Sequence, residues 1–314
     1  MRKGHSLAAL AAILLGTAAA AQAAEPAACR TVRFSDIGWT DVTATTALTA
    51  NILKDLGYKP EITLLSVPVT YASLKSKNID VFLGNWMPSM EGDRKAYVDD
   101  HTVEVVSPNL EGAKYTLAVP DYLYQAGLKS FDDIHKFASQ LHGKIYGIEP
   151  GNDGNRHVLD MIKNNQFDLG HFQLVESSEQ GMLAEVARAV RNKEPVVFLG
   201  WEPHPMNKEF KMDYLSGGDD VFGPNYGGAT VYTNVRAGYE QQCPNVAKLL
   251  RNMKFSLAGE DTMMGAILDQ KESPEKATND WMRANPDVLN AWLDNVTTWD
   301  GKPALAAVKA KLGS

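Results

Sequence analysis

Twice along this chain a strand-helix-strand-helix-strand order runs out into Gly, Trp and Pro. The first unit has strands at 31–34, 61–65 and 80–84 and helices beginning at Asp41 and Pro68. Its last strand continues as Gly84-Asn85-Trp86-Met87-Pro88. The second has strands at 144–148, 172–175 and 195–200 and helices that follow the turn at 151–155 and begin at Ser178. It ends in Gly200-Trp201-Glu202-Pro203. Alternation of period 2 with period 3.6, stopped by Gly and Pro, specifies βαβ units and parallel strands. Two such units predict an α/β protein with two open sheets.

Two segments with turn chemistry separate the units, Ser107 to Gly112 and Gly223 to Gly228. After Gly228 the pattern is mostly helical, with starts at Pro244, Glu260 and Asp287. The expectation is therefore two lobes, the first from 24–111 plus 228–314 and the second from 112–227, with hinge crossings near 107–112 and 223–228. Two sheets that face each other across two crossings enclose a cleft.

Residues 1–23 read as a secretory signal: Arg2 and Lys3, an apolar run from Leu7 to Leu15, then Ala21-Gln22-Ala23 as a small-residue cleavage pattern. Without Arg2 and Lys3, 29 of the 31 basic residues remain against 38 acidic ones, a formal charge of −9 where the whole chain carries −7. That balance argues against nucleic acid, which needs a basic surface. Cys29 and Cys243 are the only cysteines. An even count in an exported chain predicts one disulfide; two free thiols, or lipid attachment at Cys29, are the other readings.

In open α/β sheets ligands sit beyond the carboxyl ends of the strands. Here those ends carry Trp39 and Asp41, Trp86, Asn152 within the turn 151–154, and Trp201; Tyr115 lies on a strand just past the first crossing. Any single indole is accounted for by core packing, and Trp281, Trp292 and Trp299 in the helical tail read that way. Three tryptophans at three strand ends point instead to a cation without N–H donors, which aromatic faces hold through their quadrupole at about 0.5–2 kcal/mol per contact. Asp41 would favour a cation over a zwitterion, and Asn152 would bond a ligand hydroxyl. Helix capping for Asp41 and a turn role for Asn152 are the plainer alternatives. Neither a Gly-x-Ser-x-Gly elbow nor a His-Glu-x-x-His helix occurs, and the scattered histidines, His204 included, are expected at the surface. An exported hydrolase is the remote alternative; no catalytic residue, metal or cofactor is expected.

The stretches Asp36-Ile37-Gly38-Trp39-Thr40-Asp41, Gly84-Asn85-Trp86-Met87-Pro88 and Gly200-Trp201-Glu202-Pro203 carry a resemblance that covers nearly all of the mature chain. The chain resembles the periplasmic choline-binding proteins of ABC importers, within the wider betaine-binding group. The resemblance implies a two-lobed Venus-flytrap fold and a choline ligand. It implies an aromatic box of Trp39, Trp86, Tyr115 and Trp201, with Asp41 beside the cation, Asn152 on the hydroxyl and Cys29 bridged to Cys243. It further implies a periplasmic location and delivery to a membrane permease; a monomer is expected. Glycine betaine or another betaine is the alternative ligand, its carboxylate held on the N–H groups of the turn 151–154.

Overall fold

The computed structural model describes residues 25–313, so the signal segment 1–23 lies outside the described residues. The first unit forms as expected: β1 (Thr31–Asp36), α1 (Thr40–Asp55), β2 (Lys59–Leu64), α2 (Val67–Lys75) and β3 (Val81–Met87), followed by α3 (Glu91–Asp99). β1 pairs in parallel with both β2 and β3. α1 is buried on nearly all sides. Two of its threonines satisfy their hydroxyls on the preceding turn, Thr45 on Asp41 O at 3.0 Å and Thr49 on Thr45 O at 2.8 Å, while the buried Thr46 hydroxyl has no hydrogen-bond partner among the described residues.

The second unit comprises β5 (Lys144–Tyr146), α4 (Asp153–Lys163), β6 (Gln173–Val175), α5 (Glu179–Asn192) and β7 (Phe198–Glu202). β5 pairs in parallel with β6 and β7. Between and after the units run β4 (Val103–Pro120), β8 (Met212–Tyr214) and β9 (Gly228–Arg236).

One expectation is corrected here. The two half-sheets are not separate: β4 and β9 pair antiparallel along most of their length and join them into one nine-stranded sheet of order β2-β1-β3-β9-β4-β7-β5-β6, with β8 on β4. The segment 107–112 is thus strand, not loose linker. Its turn-forming residues sit at irregularities, with register shifts between Val105 and Ser107, Pro108 and Leu110, and Leu110 and Ala113. A bulge tolerates Pro and sharpens the bend of a strand. Where the ladder is broken, the buried Asn109 amide donates to Leu83 O at 2.8 Å and Thr233 Oγ1 at 3.0 Å.

The tail packs as helices α6 (Pro244–Asn252), α7 (Leu257–Leu268), α8 (Pro274–Ala284), α9 (Val288–Trp292) and α10 (Ala304–Leu312). α6, α8 and α9 share a core with α1 and the outer face of β1, built on Phe34, Leu48, Ile52, Leu249, Met282 and Trp292. The Cys29–Cys243 disulfide forms within it. Trp292 stacks on Trp281 at 6.0 Å, and Trp299 meets Tyr58 edge-on at 5.4 Å, which is packing as expected. A second core runs unbroken from Trp39 and Trp86 through Tyr115 to Phe198, Trp201 and Val186, so apolar contact spans both halves of the molecule. No helix among the described residues is long and apolar enough to cross a membrane.

Candidate ligand-binding site

Four aromatic rings converge where the halves meet. Trp39 is the residue before the first turn of α1, Trp86 lies near the end of β3, and Tyr115 on β4 is the direct cross-strand partner of Trp201 on β7. All four are only 2–5% exposed. Tyr115 stands edge-on to Trp86 at 6.1 Å and to Trp201 at 6.2 Å, with ring planes at 63° and 84°. With Ile148 they line one small void of about 10 Å³. Two glycines let the backbone come this close. A Cβ on Gly154 would lie 2.0 Å from the Tyr115 hydroxyl, and one on Gly227, where φ is +73°, would lie 2.1 Å from the Tyr115 carbonyl oxygen.

Three rings have their polar handle tied down. Trp86 Nε1 donates to Asp41 Oδ2 at 3.1 Å, Trp39 Nε1 donates to Glu149 Oε1 at 2.9 Å, and the Tyr115 hydroxyl donates to Asn152 Oδ1 at 3.4 Å. None of the three acceptors lines the void. Of the residues singled out from the sequence, the four aromatics are thus brought together around one space, while Asp41 and Asn152 stand behind that wall. Asp41 does not cap α1 through its side chain; it fixes the Trp86 ring, and its other oxygen is buried with no hydrogen-bond partner among the described residues. Asn152 does cap α4, accepting from Asn155 N at 2.8 Å.

The charges around the box are acidic and largely uncompensated. Burial pushes the Asp41 carboxyl up to about 7, with the Glu179 charge adding to it and the Trp86 N–H opposing it. Glu149 is pushed up to about 7, mainly by burial. Burial also pushes Asp153 up to about 6. Glu260, fully buried near Asp41, is held well above the usual carboxylate range. Among the described residues neither Asp41 nor Glu260 has a basic partner, so burial favours their neutral forms.

Sequence reasoning missed Ile148, Glu149, Glu179 and His204. His204 corrects a stated expectation: it is buried, with Nε2 at 3.2 Å from Glu179 Oε1 and Nδ1 accepting from Met206 N at 2.9 Å. Those two bonds account for its place in the interior. For Glu149 a signal existed, since it stands just beyond β5 and just ahead of the Gly151 turn.

The fold and the closed box define a two-lobed binding protein for a small organic molecule. Residues 30–284 match the family model OpuAC, the substrate-binding domain of ABC-type glycine betaine transport systems. The chain belongs to this family, whose members are binding proteins of ABC transporters and not enzymes. A solved structure described as an ABC-transporter choline binding protein in complex with choline is 62% identical, with a TM-score of 0.91 over 92% of this chain and 100% of that one. An ABC-transporter choline binding protein in an unliganded semi-closed conformation is 61% identical, with a TM-score of 0.84 over 91% of this chain and 100% of the other. The glycine betaine/carnitine transport binding protein GbuC of Listeria monocytogenes is 28% identical over 55% of this chain and 57% of its own length.

Proposed function

We propose that this protein is the extracytoplasmic substrate-binding component of an ABC importer, capturing choline and passing it to a membrane permease. The observation that carries the reading is the convergence of Trp39, Trp86, Tyr115 and Trp201 on one buried void with carboxyls behind the rings. The 62% identity to the choline-binding neighbour supports it. A quaternary ammonium has no N–H to offer, so directed hydrogen bonds cannot hold its nitrogen. Ring quadrupoles attract its methyl shell, and exclusion of water strengthens that attraction. In this reading residues 1–23 are a cleaved signal, 24–111 with 228–314 form one lobe, 112–227 form the other, and the protein acts as a periplasmic monomer. Asn152 acts on the ligand through the Tyr115 hydroxyl from which it accepts.

Asp41 supplies the selectivity for a cation. Asp41→Asn keeps an acceptor for Trp86 Nε1 and removes only the charge. The expected result is a loss of about tenfold in choline affinity, or about 1.4 kcal/mol, with a smaller loss or none for glycine betaine, whose carboxylate Asp41 repels. Equal losses for both ligands take Asp41 out of the selectivity. The pH dependence has a definite sign. A bound cation favours the ionised acid, so choline affinity rises with pH up to about 7, the value to which Asp41 is pushed, and then levels. In the ligand-free protein the raised acid binds its proton more tightly folded than unfolded, so its contribution to stability is lost as pH rises through about 7. Titrations at several pH values are expected to show a shallower rise for Asp41→Asn, the remainder coming from Glu149, Asp153 and Glu260 around the box.

A further inference from the structure

Several contacts beside the box join the half built on β5–β7 to the half built on β1–β3. Glu149 accepts from Trp39 Nε1; Asp153 accepts from Ser89 Oγ; Arg156 donates with Nη1 to both oxygens of Asp93 at 2.7 Å. A further contact is buried, as is the Asp153–Ser89 bond. Glu179, in the first turn of α5, takes the Thr40 backbone N–H on Oε2 at 2.8 Å and the Thr40 hydroxyl on Oε1 at 2.5 Å, and His204 Nε2 lies 3.2 Å from the same Oε1.

Thr40 is the first residue of α1, and no side chain of its own segment caps that helix. The first amides of a helix lack partners within it, and its N-terminus carries partial positive charge. The missing cap is supplied from the opposite half by a carboxylate. Thr40 lies between Trp39, a wall of the box, and Asp41, which holds Trp86. Glu149 and Glu179 therefore clamp neighbouring residues of one turn, and both clamps exist only while the halves are together. Separation of the halves returns Glu179 to water and leaves the α1 amide uncapped.

Resting on the choline reading, we propose that Glu179 is a positioning residue for ligand retention: by capping α1 across the cleft it locks Trp39 and Asp41 around the bound cation, and its loss speeds ligand release. The contact is bidentate on a single residue, so it is sensitive to small errors of closure. The Arg156–Asp93 pair lies farther out, where Arg156 is a third exposed, and screening by solvent weakens it.

The test is a double-mutant cycle on the mature protein with choline as probe. Glu179→Gln keeps the shape and removes the charge; Thr40→Val removes the hydroxyl and keeps the backbone N–H. Affinity is read by calorimetry and the dissociation rate by stopped-flow tryptophan emission. Expected are a loss of about tenfold or more for Glu179→Gln and about three- to tenfold for Thr40→Val, both chiefly in the dissociation rate. The double variant is expected to lose less than the product of the two, because the residues share one contact. Thermal midpoints of the ligand-free variants are expected to stay within a few degrees of the parent and to show no such coupling. Should Glu179→Gln not fold, Thr40→Val alone decides through its dissociation rate. Unchanged dissociation rates in variants of a protein that binds choline overturn the proposal and leave the choline reading standing. A parent protein that binds no choline removes both.

Discussion

Trp86→Leu lowers choline affinity at least tenfold, a loss of about 1.4 kcal/mol or more. Leucine fills much of the apolar space but presents no π face to a methylammonium shell. It also strips the donor from Asp41 Oδ2, leaving a buried carboxyl whose other oxygen already has no partner among the described residues. Trp86→Phe separates the causes. It too loses the N–H, yet it keeps a ring edge-on to Tyr115, so it is expected to retain more affinity than Trp86→Leu. Calorimetric titration of both variants, with near-ultraviolet circular dichroism to confirm the fold, checks this order. Equal and small losses would mean that Trp86 serves only the core and that the cation is held elsewhere.

Replacing both Cys29 and Cys243 by Ala is expected to cost about 2–5 kcal/mol of stability. The bridge closes a sequence separation of 214 residues, and in the chain-entropy picture a loop of that size restricts the unfolded chain strongly. Both cysteines lie inside the core between α1, the outer face of β1 and the tail helices, far from the aromatic void. Choline affinity is therefore expected to stay within about threefold of the parent, since the box and its cross-cleft contacts are untouched. Denaturant titration measures the first expectation and calorimetry the second. A large loss of affinity at unchanged stability would contradict both.

The positions of Trp39, Trp86 and Trp201 were legible because strand ends in a βαβαβ unit are fixed by period and by Gly, and the candidate site lies where those ends converge. Tyr115, on a strand just past the first crossing, entered the box only through the family resemblance. The crossing itself was misread. Pro108, Asn109 and Gly112 have the chemistry of a linker, but a long antiparallel partner, β9, holds them as a bulged strand. Two tail helices, Pro274–Ala284 and Ala304–Leu312, went unread although Ser273 caps the first through Lys276 N and Pro303 precedes the second. The carboxyl shell was beyond local pattern. Glu149 and Glu179 lie 110 and 139 residues from their partners Trp39 and Thr40, and a contact made only when two halves meet leaves no periodic trace. His204 was misplaced because its partner Glu179 lies 25 residues away on another element of the same half, a pairing that no local pattern announces.

Calorimetric titration of the ligand-stripped mature protein, with choline and then with glycine betaine, tests the central claim most directly. One choline bound per chain, with clearly weaker binding of glycine betaine, is the predicted result. Tight glycine betaine binding with weak choline binding would contradict the cation selectivity assigned to Asp41, and binding of neither would contradict the function itself.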